Sequence, residues 1–295
     1  MNTIAISNIS RDLNDDNFCS PNIIKKHYTC FTLDELVEIS KAFNKFIKKN
    51  KLCSLDKNDN KICIPKKYID YENKNRKQLW WSIYTRLRPI CKYEYCWIDL
   101  EFVKNIPDKQ LQEKIKYFTF KPKMTKTQYS WLSTRDINNV MQQYQEYDKN
   151  FKFLGALPSD FYKVSDFDYN TILDYKKFGI VFNLDNHDQK GSHWVSFLID
   201  NQSKTIEYFD PVADPPNKNI SDFIKYIYIF LKKNDLVYKY KRNKIPHQQE
   251  DSECGVFSIY YLIQRLSQQT FDDITQNVIN DQQMNNFRKY IFRPR

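Results

Sequence analysis

Residues 247 to 266 read HQQEDSECGVFSIYYLIQRL, and the chain changes character within them: polar side chains run up to Cys254 and Gly255, and almost every later position is apolar. A thiol on that seam falls in the first turn of a helix that must be buried. There the helix dipole and the free backbone N–H groups favour the thiolate, the form that attacks a carbonyl carbon. The plainer alternative is a small apolar residue opening a buried helix. Gly255 has no Cβ and would let a substrate come close to the backbone.

A thiol nucleophile needs a base, a group that orients the base, and donors for the oxyanion. The chain has 4 His. His27 lies in a basic region, His187 in the polar loop NLDNHDQKGS, and His247 seven residues before Cys254. His193 opens the apolar run HWVSFLID directly after Gly191 and Ser192 and before Trp194, so it is placed to face a cleft from a strand tip. Asp210 ends the next run, KTIEYFD. If the two runs pair as an antiparallel hairpin through DNQSK, their outer ends lie side by side and bring His193 and Asp210 to one sheet edge. Asp200 at the hairpin end and Glu207 along the strand fail that test. Gln248 could offer an amide donor to an oxyanion, with Gln249 as the alternative.

These residues need a scaffold. FGIVFNL (178–184), HWVSFLID (193–200) and KTIEYFD (204–210) are short, apolar and rich in strand formers. LVYKYKRNKI (236–245) alternates like a strand, and ISDFIKYIYIFLKK (220–233) is an amphipathic helix. Thr32 with Glu35, and Ser133 with Asp136, have capping-box spacing ahead of helices over 32–49 and from 133 onward. KQLWWSIYTRLRPI (77–90) reads as another helix, and the charged stretch between it and the first as a loop. Strands mixed with a central buried helix predict an α+β fold.

The 295-residue chain is long enough for one large or two modest domains, and its net charge of +10 is unevenly placed. Residues 1–125 hold 24 Lys and Arg against 15 Asp and Glu, whereas residues 126–295 hold 22 against 21. The expected division is a basic helical N-terminal arm over 1–122 and a chemical domain over 123–295, joined near KPKMTKTQ. The arm could meet nucleic acid, an acidic scaffold protein, or only solvent. Six of the 7 Cys precede residue 100 and contain no CxxC, so neither a zinc site nor disulfides are expected; buried free thiols are. No membrane span and no secretory leader is legible, which predicts a soluble chain.

HWVSFLID, IEYFDPVADPP, HQQEDSECG and the terminal MNNFRKYIFR, in that order, resemble the SUMO and ubiquitin-like-protein protease family. Within it, the likeness is to the polyprotein-processing thiol proteases of nucleocytoplasmic large DNA viruses, of the African swine fever and giant-virus type. It covers residues 128–295 and includes WLSTRDINNVM. The resemblance implies a papain-like superfamily α+β fold with Cys254 as nucleophile, His193 as general base, Asp210 orienting it and Gln248 in the oxyanion hole. It further implies Trp194 and Trp131 as walls of a channel that admits glycine, with Gly255 beside it, and needs no metal or cofactor. The expected substrate is a viral structural precursor cut after a small pair such as Gly-Gly, in the virion and host cytoplasm. The swine fever enzyme places Asn where Asp210 stands, so the third position tolerates change. Three other readings share some of these features: removal of ubiquitin-like tags from host proteins, acetyl transfer on the same triad, and a nucleic-acid-binding module with an inert protease fold.

Overall fold

The structure, a computed structural model, describes residues 18–21, 23, 28–55, 59–125 and 129–294. His27, the polar N-terminal start and part of the expected linker lie outside these residues. The chain divides into two compact units, one of Asn17–Lys121 and one containing Pro122–Arg295. Residues 17–121 carry 22 Lys and Arg against 12 Asp and Glu, a net +10 equal to that of the whole chain.

In the first unit, α1 (Leu33–Lys49) begins at the reciprocal Thr32–Glu35 box and packs Leu36, Ile39 and Phe43 inward. α2 (Arg76–Leu87), a 3-10 turn over Glu94–Asp99, α3 (Glu101–Lys104) and α4 (Lys109–Phe118) follow, around a core that includes Leu79, Ile83 and Trp97. The stretch expected as a loop contains a short hairpin, β1 (Cys53–Leu55) with β2 (Lys61–Cys63). The expectation of free thiols fails here. Cys19 pairs with Cys30, Cys53 with Cys63, and Cys91 with Cys96. Cys53 and Cys63 are register partners whose Cα atoms lie 4.0 Å apart, a juxtaposition created by an unpredicted hairpin. The two bonds that span 10 and 11 residues each remove unfolded-state freedom worth about 2–3 kcal/mol.

The second unit is a five-stranded mixed sheet in the order β3-β4-β5-β6-β7. Its strands are β3 (Phe151–Pro158), β4 (Lys177–Asn183), β5 (Trp194–Asp200), β6 (Thr205–Phe209) and β7 (Lys239–Arg242). β4, β5 and β6 are antiparallel neighbours, while the two edge strands run parallel to theirs. All of β5 is buried because both sheet faces are covered, which is why its sequence is apolar apart from Ser196 and the terminal Asp200. Val195, Phe197 and Ile199 face a cluster containing Phe223 and Ile227 of α7 (Lys218–Lys233). Trp194 and Leu198 face the opposite cluster, built with α5 (Thr134–Tyr147), α8 (Cys254–Leu266) and α10 (Asp281–Ile291). Two four- and six-residue helices, α6 (Phe161–Val164) and α9 (Phe271–Gln276), complete the unit. The α+β expectation holds. Among the described residues no helix is long and apolar enough to cross a membrane.

Candidate active site

Every residue of α8 is buried, and its first residue is Cys254, 1% exposed and the one free cysteine among the described residues. The N–H groups of Val256 and Phe257 donate to the Glu253 carbonyl at 2.8 and 2.9 Å, which places the amides of Cys254 and Gly255 ahead of the first intrahelical bonds. The thiol therefore sits at the positive end of a thirteen-residue helix.

His193 is carried by the turn that returns the chain from β4 to β5. Asp185 accepts from the Gly191 amide at 3.1 Å and the Ser192 hydroxyl at 2.8 Å, and Asn183 Oδ1 accepts from the amides of Asp185 and Ser192. Gly191 has φ +90° and a Cβ there would lie 2.7 Å from Asn183 Nδ2, so glycine is demanded by both backbone and space. The β5–β6 register, Ser196 opposite Phe209, puts Asp210 at the same sheet edge as His193, and His193 Nε2 lies 2.8 Å from Asp210 Oδ1. The Cys254 thiol acts on the same ring, and with Nε2 engaged by Asp210 the nitrogen left for sulfur is Nδ1. Burial opposes charge on the ring, but the bonds and charges of Asp210 and Cys254 prevail and raise His193 to about 10. Cys254, His193 and Asp210 are thus joined in one line.

Asp210 is fully buried and heavily bound. Its carboxylate also accepts from the Val212 amide at 2.9 Å and the Tyr208 hydroxyl at 3.3 Å, while Asn243 bonds both its backbone N–H and its carbonyl. The carbonyl of Pro211, next in sequence, accepts from the amides of His247 and Gln248 at 2.8 and 3.0 Å, and so ties the run before Cys254 to the Asp210 turn. His247 itself is buried edge-on against Phe209 and Phe257, and burial lowers its proton affinity. Its part is packing and anchoring.

The other expected site residues divide. Gln248 is 6% exposed; its Nε2 donates to the Glu250 carbonyl and its buried Oε1 has no partner, so its amide must turn to serve an oxyanion. Trp131 is 41% exposed, whereas Trp194 is buried with Nε1 donating to the Leu132 carbonyl at 2.9 Å. The space above Gly255 that the sequence reading gave to substrate is filled by the protein. A Cβ there would lie 3.0 Å from Leu132 Cβ and 3.3 Å from Trp194 Cδ1. Glycine lets Leu132 and Trp194 close over the turn that carries Cys254. Gly255→Ala is expected to cost about 1–3 kcal/mol in urea unfolding by overpacking and to lower peptide cleavage with it. Unchanged stability and rate would show that the wall yields freely.

Asp200 and Glu207, set aside from sequence, meet elsewhere: Arg265 of α8 bonds Glu207 at 2.7 Å and Asp200 at 2.9 Å. Side chains close enough to share a metal ion, among the described residues, are Cys19, Cys30 and Glu94. Those two sulfurs are bonded to each other, and Glu94 accepts from Thr29, Cys30 and Trp80. Sequence reasoning missed Tyr208, Asn243 and Arg288. Tyr208 had a signal, since two residues along a strand return to the same side; the others come from distant elements.

Residues 102–294 match the Ulp1 protease family, C-terminal catalytic domain, beginning before the residue 128 expected from the motifs. The chain is 32% identical over 289 residues to a protein named as a thiol protease in Acanthamoeba polyphaga mimivirus, covering 94% of this chain and 93% of that one. It is 31% identical over 119 residues to a SUMO-1 cysteine protease of African swine fever virus, covering 39% of this chain and 44% of the relative. The crystal structure of the African swine fever virus protease superposes with a TM-score of 0.64 at 20% identity, over 95% of this chain and 97% of that one, a likeness of fold. With a family match over residues 102–294 and a viral relative aligned over 94% of this chain, the chain belongs to the Ulp1 family of cysteine proteases.

Proposed function

We propose that the protein is an endopeptidase that cuts viral structural precursors after small pairs such as Gly-Gly during particle maturation. Cys254 is the nucleophile in this reading, His193 the acid–base group, Asp210 its orienting partner and Gln248 an oxyanion donor. The observation that carries it is the His193 ring held between the Asp210 carboxylate and the Cys254 thiol at a helix N-terminus.

The chemistry follows from that line. His193, raised to about 10, is held as imidazolium, and the form of Cys254 that attacks is the thiolate. Sulfur attacks the scissile carbonyl carbon, and the electron pair of the C=O moves to oxygen, which is received by the Cys254 amide and the Gln248 side chain after it turns. His193 gives its Nδ1 proton to the departing amine as the C–N bond breaks, leaving a thioester on Cys254. Neutral His193 then takes a proton from water, hydroxide adds to the thioester, and collapse releases the acid and restores thiolate with imidazolium. Asp210 keeps the ring in one tautomer throughout.

Preference for glycine rests on the closeness of Trp194 and Leu132 to Gly255 and on exposed Trp131 next to them. Peptides ending in Gly-Gly before the cut should exceed Ala-Ala peptides in kcat/KM by at least about 100-fold. Equal rates would remove the glycine channel from this reading. The likeness to a SUMO-1 cysteine protease of African swine fever virus favours a second substrate, a ubiquitin-like tag. Efficient release of a folded ubiquitin-like protein, with slow cutting of the peptides, would decide for that one.

A further inference from the structure

We propose that Arg288, in the C-terminal helix, is a positioning residue for the nucleophile: its buried guanidinium clamps the turn before Cys254 to the Trp131–Leu132 wall and compensates the carboxylate of Glu253, the residue before the thiol. This rests on the reading of Cys254 as nucleophile.

Arg288 is 2% exposed, yet its donors reach three segments. Nε donates to Asn285 Oδ1 at 3.0 Å within its own helix. Nη1 donates to the Ser130 carbonyl at 2.9 Å and lies 3.9 Å from Met124 sulfur. Nη2 donates to the Ser252 carbonyl at 2.8 Å and lies 3.8 Å from Glu253 Oε1. Ser252 in turn gives its N–H and hydroxyl to the Glu253 carboxylate, which is 1% exposed. A planar fork can hold two carbonyls in fixed relation; a lysine ammonium is a single point and cannot.

Both clamped segments border the site. Ser252 and Glu253 precede Cys254, and the Glu253 carbonyl receives the first helix bonds. Ser130 precedes Trp131 and Leu132, and Leu132 holds the Trp194 indole and touches Gly255. The charges acting on Arg288 are those of Glu253, Cys254 and Asp136, and the base facing Cys254 is His193 with Asp210 behind it. A Cys254 thiolate would thus follow the Glu253 carboxylate directly in the chain, and Arg288 is a cation on which both charges act. Removing that cation leaves a buried carboxylate uncompensated beside the nucleophile and penalises the thiolate.

The test is the pH dependence of Cys254 alkylation by limiting iodoacetamide in the full chain, read by peptide mass spectrometry, alongside kcat/KM on a Gly-Gly peptide. Arg288→Gln should slow alkylation at pH 6 by at least about tenfold and move the profile to higher pH. Adding Glu253→Gln should restore alkylation at pH 6 to within about threefold of the wild type, while KM stays raised because the Ser130 anchor is still missing. Arg288→Lys keeps the charge, so its alkylation profile should match the wild type while KM rises. A folded Arg288→Gln protein with an unshifted profile, or a double variant no faster than the single one, overturns the electrostatic role. If Arg288→Gln does not fold, the lysine variant decides, since a wild-type KM in it overturns the clamp. A wild-type chain whose Cys254 alkylates no faster at pH 6 than in His193→Ala would instead defeat the nucleophile assignment, and the Arg288 proposal with it.

Discussion

Cys254→Ser and His193→Ala each lower kcat/KM on a cleavable peptide by about 10⁴-fold or more, and the double variant is no worse than either alone. The expectation comes from the shared proton. Ring and sulfur are one hydrogen-bonded unit, with the ring stabilised as imidazolium by Asp210 on one side and by the thiolate on the other. A serine hydroxyl in the place of sulfur is a far weaker acid, so the resting ion pair does not form and nothing is poised to attack. Alanine at 193 removes both the partner of the thiolate and the proton donor for the leaving amine. Once either half is gone, what remains is binding and the oxyanion donors, which neither substitution touches, so the two losses cannot add. Circular dichroism should show intact folding in both variants. A serine variant within about 100-fold of the wild type would mean that another group does the attacking.

The site was legible where it depends on local pattern. The polar-to-apolar seam put Cys254 at a helix start, and strand periodicity with a short connecting loop put His193 and Asp210 at one edge. Each inference needs only a period and a turn, and the described β5–β6 register agrees with the second. What escaped depends on contacts between distant elements. β3 was overlooked because Gly155 and Pro158 weaken its pattern, and both are tolerated in an edge strand with an irregular register. The Cys53–Cys63 pair escaped because its proximity is made by a hairpin in charged sequence. Gly255 was read as an opening toward substrate, whereas its missing Cβ is what Leu132 and Trp194 need. Arg288, 34 residues beyond Cys254, lies in the terminal MNNFRKYIFR motif, but a motif does not say what a side chain bonds; the packing of α10 beside α8 does.

Asp210→Asn should keep activity within about tenfold of the wild type, whereas Asp210→Ala should lose about 10³-fold. The difference lies in what each substitution leaves unbonded. An asparagine Oδ1 can accept from His193 Nε2 and the Val212 amide as the aspartate does, and its Nδ2 can donate to the Tyr208 oxygen, which reverses from donor to acceptor. Ring orientation survives and only the negative charge is lost. Alanine abandons a partly buried imidazole, an amide and a buried phenol together, at up to about 1–3 kcal/mol for each group left unpaired away from water, and frees the ring to turn away from sulfur. The two variants also separate in their response to pH. His193 is raised from 6.5 to about 10, so its contribution to stability is complete below about pH 6.5 and is lost as pH climbs through about 10. Without the Asp210 charge the folded-state value falls, and the loss should begin at lower pH and be smaller in total. Urea unfolding at pH 6 and pH 10 measures it directly: the wild type should weaken most between the two, Asp210→Asn less, and His193→Ala should show none of this contribution. Equal weakening in the wild type and Asp210→Asn would mean that Cys254 alone holds the imidazolium, and that Asp210 serves the ring by geometry rather than by charge.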